Sequence, residues 1–168
     1  MVCFATKNRE GKNMFIEITV NDRLYKLEVQ SNQRLLDFLR NELGLKGTKH
    51  GCEQGECGAC SVILNDQLVA SCLVLMAQIP PNSEVITIES DDLVVKTVQE
   101  SFIRKGAVQC GACTPGMVMA TTALLKSNLE ADVQEIKEAL SGVICRCTGY
   151  SKIFDAVRYA QKQLGVVS

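Results

Sequence analysis

Residues 51–60 of the chain are GCEQGECGAC, which places Cys52, Cys57 and Cys60 in the spacing C-x4-C-x2-C. Cys72 follows later in the chain as a fourth cysteine. This spacing is typical of plant-type [2Fe–2S] sites, in which four thiolates hold two irons. The interleaved glycines permit positive φ and let backbone N–H groups approach the cluster sulfurs. The four cysteines therefore predict a [2Fe–2S] site; structural zinc, the alternative, usually takes its thiolates from two separated C-x2-C pairs.

A second set of four cysteines lies in the C-terminal half of the chain. Cys110 and Cys113 are spaced C-x2-C, and Cys145 and Cys147 are spaced C-x-C. Both pairs directly precede predicted helix starts, where free N–H groups and the helix dipole favour thiolates and an anionic cluster. Spacing alone leaves zinc and iron–sulfur open for this set. The presence of the first set favours a second [2Fe–2S] cluster.

Composition limits the classes of function. A chain of 168 residues with 46% hydrophobic residues, few aromatics and no Trp can form two domains with modest cores, so bound metal is expected to supply part of the folding free energy. The net charge of −1 offers no basic face for nucleic acid. No stretch approaches the roughly 20 apolar residues of a membrane span. Two clusters leave little room for a separate substrate site, so electron transfer is the expected role.

The first residues bear on the compartment. Residues 1–13, MVCFATKNREGKN, lack the apolar region of a secretory signal and a twin-Arg pair. We expect a flexible tail in which Cys3 is a spare thiol. A chain without a signal is expected in the reducing cytoplasm, where clustered cysteines are metal ligands more often than disulfides.

Hydrophobic periodicity predicts an α+β chain. Alternating residues predict hairpins over 15–29, turning at 21–23, and over 61–71, turning at Asp66-Gln67, with a last strand over 84–89. Helical spacing predicts helices over 34–43, 93–104, 115–126, 132–140 and 151–164, with Gly44 after the first and Thr114 as the N-cap of the third. The expected domains are the tail at 1–13, a β-grasp, [2Fe–2S] ferredoxin-like domain at 14–90 and an all-α four-helix [2Fe–2S]-binding domain at 91–168.

Three motifs in order carry a family resemblance: GCEQGECGAC at 51–60, VQCGACTPGM at 108–117 and ICRCTGY at 144–150. They resemble the iron–sulfur subunit of the molybdenum hydroxylase (xanthine dehydrogenase and xanthine oxidase) family, from about Met14 to the end of the chain. The resemblance implies two [2Fe–2S] clusters, one in each domain. It also implies a heterotrimer, or a dimer of heterotrimers, with a molybdopterin-binding large subunit and an FAD-binding medium subunit.

The resemblance further implies a direction for the electrons. They would pass from molybdopterin on the large subunit to the helical-domain cluster, then to the ferredoxin-domain cluster and to FAD. Gln109 would contact the pterin, and Cys147 would be the ligand nearest to it. The substrate would be a purine or another N-heterocycle, with an aldehyde, carbon monoxide or an aromatic acyl-CoA as alternatives. No catalytic residue is expected in this chain.

Some residues depart from the family pattern. Ala112 stands where many members carry an aromatic residue, Val143-Ile144 stands where Asn-Leu is common, and Ser61 replaces a frequent Thr. None of these changes removes a ligand.

His50, the only histidine, cannot supply the two His ligands of a Rieske centre and is expected to be a loop or interface residue. Glu53 and Glu56 are expected to face solvent or a partner. Two alternative hypotheses for the function of the chain remain: a stand-alone two-cluster ferredoxin and a zinc-stabilised binding module.

Overall fold

The computed structural model describes residues 11–167, with side chains described through Gly165. Within these residues, the N-terminal part of the chain combines five strands with short helical segments, and the C-terminal part is helical, which confirms the α+β prediction. The strands are β1 Asn13–Val20, β2 Arg23–Gln30, β3 Ser61–Leu64, β4 Gln67–Ala70 and β5 Ser83–Ile86. The helices are α1 Leu35–Asp37, continued by a π-helical turn over Phe38–Glu42, a 3-10 turn Met76–Gln78, α2 Leu93–Arg104, α3 Thr114–Ser127, α4 Val133–Leu140 and α5 Ser151–Val167. Most of the predicted tail, including Cys3, lies outside the described residues.

The strands form one mixed sheet in the order β2-β1-β5-β3-β4. β1 pairs parallel with β5, and every other neighbouring pair is antiparallel. The predicted inward face of β1 is confirmed, because Ile16, Ile18 and Val20 are buried. They pack with Leu35 and Phe38 of the first helical segment in one hydrophobic core. The first helical segment therefore packs on the buried face of the sheet.

Both hairpins turn through an Asn-Asp pair, which corrects the predicted turns at 21–23 and 66–67. Arg23 pairs with Val20 and Gln67 pairs with Leu64, so both are strand residues. The turn residues, Asn21-Asp22 and Asn65-Asp66, all have φ between 47° and 63°. Two-residue turns of this kind need positive φ at both central positions, which Asn and Asp tolerate better than Arg or Gln.

Several helix and strand ends differ from the prediction by a few residues, and two of these differences have a clear physical cause. The last strand ends at Ile86 rather than residue 89, because the N–H of Thr87 leaves the sheet and donates to the Asn21 side chain at 2.8 Å. The third predicted helix begins at Thr114 itself, so the N-cap is Cys113 and not Thr114. The carbonyl of Cys113 accepts the first helical hydrogen bond, from the N–H of Met117 at 2.9 Å. A predicted cysteine ligand thus opens α3.

The helices enclose a second core and join it to the sheet. Phe102, Met117, Ile136, Leu140 and Val157 are among its buried side chains. A smaller cluster spans the two halves, with Ile63 and Ile86 from the sheet packed on Val95 and Met119 from the helices. The cysteine loops are therefore held by a continuous packed body. Within residues 11–167, every helix is too short or too polar to cross a bilayer.

Two candidate cluster sites

The first site comprises Cys52, Cys57, Cys60 and Cys72. Three of these thiols lie on the loop that enters β3, and the β3–β4 hairpin returns the chain so that Cys72 lies beside Cys60. Ser71 fixes this return, since its N–H and its hydroxyl both donate to the carbonyl of Cys60, at 3.3 and 2.7 Å. Cys60 and Cys72 are buried, while Cys52 and Cys57 are partly exposed.

Backbone donors converge on the sulfur of Cys52. The N–H groups of Gln54, Glu56 and Cys57 lie 3.4, 3.3 and 3.3 Å from it. The donors lower the pKa of the Cys52 thiol to about 7. Burial, followed by the neighbouring Cys60, raises the pKa of Cys72 to about 11. The partly exposed Cys52 is thus already arranged as a thiolate, whereas the buried Cys72 would lose its proton only when a cation binds.

The second site comprises Cys110, Cys113, Cys145 and Cys147. The first two end the segment before α3, and the other two lie between α4 and α5. The sulfurs of Cys110 and Cys147 are 3.5 Å apart and exposed, and the less exposed Cys113 and Cys145 lie beside each other. The predicted placement of both cysteine pairs before a helix is confirmed, since α3 follows Cys113 and α5 follows Cys147.

Thr148 and Tyr150 support the second site and had no predicted role. The Thr148 hydroxyl lies 3.1 Å from the sulfur of Cys145, and the N–H of Cys145 donates to the Tyr150 hydroxyl at 2.8 Å. Burial raises the pKa of Cys145, but the donors of Thr148 and Cys147 outweigh it and bring that pKa to about 7. Burial and the adjacent Cys145 raise the pKa of Cys113 to about 12. Thr148 and Tyr150 both belong to the ICRCTGY motif at 144–150, so that motif was the signal from which their supporting role could have been predicted.

The thiols of both sites are arranged in pairs. Among residues 11–167, no three His, Cys, Asp or Glu side chains converge as one mononuclear metal ion would require. A [2Fe–2S] cluster divides its four thiolates between two tetrahedral irons, so each iron needs only a pair. The neighbouring pairs are Cys52 with Cys57, Cys60 with Cys72, Cys110 with Cys147, and Cys113 with Cys145. The donor set therefore fits two such clusters.

The predicted accessory residues lie on the surface. Gln109 is exposed between the exposed Val108 and Cys110, and Ile144, which precedes Cys145, is also an exposed apolar residue. His50 is exposed, as expected of a loop residue, and its Nδ1 lies 3.1 Å from a Glu53 oxygen. Glu53 does not simply face solvent, because it also accepts a hydrogen bond from Arg34 at 2.7 Å. No sequence pattern predicted this contact between Arg34 and Glu53, which are 19 positions apart in the chain.

The two sites touch through their backbones. The N–H of Ile144 donates to the carbonyl of Cys57 at 3.0 Å. A methyl group on Gly116 would overlap the carbonyl of Gly58, so glycine is required for this close approach. Beside the contact, Ala112 and His50 help to line an apolar groove of about 280 Å³. The small side chain of Ala112 leaves this groove open.

Comparison with known proteins identifies both halves of the chain. The family described as "2Fe-2S iron-sulfur cluster binding domain" matches residues 18–83, and the "[2Fe-2S] binding domain" matches residues 85–158. The small FeS subunit of nicotinate dehydrogenase from Eubacterium barkeri is 46% identical over 86% of this chain and 93% of its own length. The xanthine dehydrogenase iron-sulfur-binding subunit from Escherichia coli O157:H7 is 41% identical over 90% of this chain and 97% of its own.

A solved structure supports the same assignment. A chain of quinoline 2-oxidoreductase from Pseudomonas putida 86 superposes with a TM-score of 0.83 and 36% identity, over 93% of this chain and 98% of that one. Both the sheet domain and the helical domain are included in the match. The protein therefore belongs to the iron–sulfur subunits of the molybdenum hydroxylase (xanthine dehydrogenase and xanthine oxidase) family, with two [2Fe–2S]-binding domains.

Proposed function

We propose that this chain is the electron-transfer subunit of a multi-subunit molybdenum hydroxylase. In this proposal Cys52, Cys57, Cys60 and Cys72 hold the first [2Fe–2S] cluster, and Cys110, Cys113, Cys145 and Cys147 hold the second. The observation that carries the proposal is the grouping of eight thiols into neighbouring pairs at two sites that a backbone hydrogen bond joins. Each cluster, when bound, supplies a one-electron carrier whose potential responds to hydrogen bonds on its sulfurs.

The second site is proposed as the point where electrons enter the chain. Cys110 and Cys147 are exposed, and so is the adjacent Gln109. In the proposal this face meets the molybdopterin of a large subunit, with Gln109 contacting the pterin and Cys147 as its nearest ligand. Exposed apolar side chains at Val108 (40% exposed) and Ile144 (58% exposed) suit a surface that a partner covers.

The first site is proposed as the exit. In this scheme electrons pass to FAD on a medium subunit, and the complex is a heterotrimer or a dimer of heterotrimers. A reducing, cytoplasmic setting suits a chain whose thiols serve as ligands. The net charge of −1 also favours a subunit over a free ferredoxin, which often carries a strongly acidic docking face.

The proposed substrate is a purine or another N-heterocycle. Support comes from the relatives, whose names give nicotinate, xanthine and quinoline as their compounds. Aldehydes, carbon monoxide and aromatic acyl-CoA compounds are the alternatives. Anaerobic titration of the purified complex with each class distinguishes them, because only a true substrate bleaches the iron–sulfur absorbance of this chain.

The first test is metal analysis of the complex co-purified with its native partners. We expect about four iron and four acid-labile sulfides per chain, together with molybdenum in the complex. The same iron without molybdenum or a partner would assign the chain as a stand-alone ferredoxin. Zinc in place of iron would contradict both assignments and favour a binding module.

A further inference from the structure

A charged network lies against the loop of the first site. The Arg34 guanidinium donates to both oxygens of Asp37, at 2.6 and 3.2 Å, and to Glu53 at 2.7 Å. The other Glu53 oxygen lies 3.1 Å from Nδ1 of His50. Asp37 belongs to α1, whereas His50 and Glu53 belong to the cysteine loop. Arg34 thus links the first helix to the loop that carries three of the four cysteines.

The backbone around Arg34 is fixed by the segment that carries Cys72. Arg34 forms an isolated antiparallel bridge with Leu75. The next two N–H groups, of Leu35 and Leu36, donate to the carbonyls of Val74 and Ser71 at 2.8 and 3.1 Å. Arg34 is therefore placed by the segment after β4 that carries Cys72, and its side chain contacts Glu53 in the cysteine loop on the other side of the same site.

Glu53 has a strained backbone. Its φ of 57° lies in the left-handed region, which is unfavourable for residues with a Cβ other than Asn and Asp. Glu53 directly follows Cys52, and the three N–H groups on the Cys52 sulfur belong to Gln54, Glu56 and Cys57, which come next. The left-handed residues Glu53 and Gly55 (φ 78°) together bend the chain back so that these donors face the sulfur. Such conformations persist only where surrounding contacts hold them.

We propose that Arg34 is a positioning residue of the first site. Its ion pair with Glu53 holds the left-handed turn and so keeps the three N–H groups directed at Cys52. The inference rests on the proposed function, in which Cys52 is a cluster ligand. Hydrogen bonds to a cluster sulfur stabilise the more negative, reduced state. Loss of Arg34 is therefore expected to make the first cluster harder to reduce and to leave the second unaffected.

The test is a double-mutant cycle on the full chain, co-purified with its partners. Arg34→Met removes the anchor, and Glu53→Gly supplies a residue that adopts positive φ without an anchor. We expect Arg34→Met alone to lower the midpoint potential of the first cluster and change its EPR line shape. In the Glu53→Gly background, Arg34→Met is expected to change neither the midpoint potential nor the EPR line shape of the first cluster. The second cluster provides an internal reference, and a Cys72→Ser variant identifies the first-cluster signal.

The Glu53→Gly background separates positioning from simple charge loss, because a direct effect of the Arg34 charge would persist in it, and a second arginine tests for general effects of losing a surface charge. Arg104→Met removes an exposed arginine at the end of α2 and is expected to leave both signals unchanged. If Arg34→Met loses the first cluster entirely, recovery of its iron in the double variant supports positioning, and no recovery overturns it. An equal shift in both backgrounds, or an equal shift of both clusters, also overturns it. Absence of iron from the unmutated complex would instead refute the proposed function itself.

Discussion

The backbone N–H of Ile144 donates a 3.0 Å hydrogen bond to the carbonyl of Cys57, and this bond joins the two cysteine sites directly. Ile144 immediately precedes Cys145, so the bond joins one predicted ligand, Cys57, to the residue next to a predicted ligand of the other cluster. Around it, a methyl group on Gly58 would overlap the carbonyl of Gly142. The spacing between the sites is therefore set by backbone contact and not by flexible side chains.

The Gly58–Gly116 contact predicts that Gly116→Ala alters the spacing between the clusters. The added methyl group would overlap the Gly58 carbonyl, which cannot move away as a side-chain tip can. We expect a loss of about 1–3 kcal/mol in unfolding free energy and a weaker magnetic interaction between the two reduced clusters. Thermal unfolding and EPR of the reduced complex measure the two effects. Gly142→Ala is the matched control, because its methyl group would enter open space; equal effects of both variants would contradict the prediction.

Cys147→Ser is expected to remove the second cluster selectively. The exposed Cys110–Cys147 pair would keep one thiolate where two are needed for one iron, so iron should fall to about two per chain. Electron flow to the acceptor should stop while the first-cluster signal remains. Cys3→Ser is the control and should keep full iron and activity. A Cys147→Ser complex that reduced its acceptor at the normal rate would refute the proposed route.

Tyr150→Phe tests the hydroxyl beneath the second site. Removing it leaves the N–H of Cys145 without its acceptor at 2.8 Å and removes the donor to the Val143 carbonyl at 3.3 Å. We expect a loss of about 1–3 kcal/mol in unfolding free energy, with a changed EPR signal for the second cluster alone. Tyr159→Phe, a substitution on α5, provides the comparison at a tyrosine with no described hydroxyl bond. A stability loss of the same size there would contradict the assignment.

The Asp92–Lys126 pair predicts a pH dependence of stability. Burial of Asp92 opposes ionisation, but Lys126 at 2.7 Å and the N–H groups of Val95 and Val94 outweigh it and hold the pKa of that carboxyl below its usual range. Because the folded-state pKa is depressed, the stabilisation is complete above the unfolded-state pKa of about 3.9. It is lost as pH falls through the folded-state value.

Asp92→Asn isolates this charge, since Asn also caps helices well. We expect the variant to be about 1 kcal/mol less stable than the unmutated chain at pH 7, with the difference vanishing at acid pH. Urea unfolding of both chains at pH 7 and at a series of pH values that descends below the unfolded-state pKa makes the measurement. A difference that stayed constant between these pH values would show that the charge is not responsible.

Local sequence patterns predicted most helices and strands, because these elements are determined mainly by residues close together in the chain. The α2 boundaries at 93–104 are confirmed, since apolar spacing and the N-cap Asp92 act within a few residues. The turn errors at Arg23 and Gln67 were also local, and the Asn-Asp pairs contained the needed signal. The early end of β5 had no such signal, because the side chain that captures Thr87 is Asn21, in the first hairpin.

The candidate sites also combine features that the sequence predicted with contacts that only the structure showed. Cysteine spacing in the sequence was sufficient to propose all eight ligands, because three share one tight loop, Cys72 follows them alone, and four occur as two close pairs; their ligation stays a prediction. The sequence motifs also carried the family, which the comparisons confirm. Only the tertiary structure showed that Arg34 reaches Glu53, that Ile144 reaches Cys57, and that Gly58 meets Gly116. Such contacts arise when packed elements bring distant residues together, and no spacing along the chain encodes a distance through space.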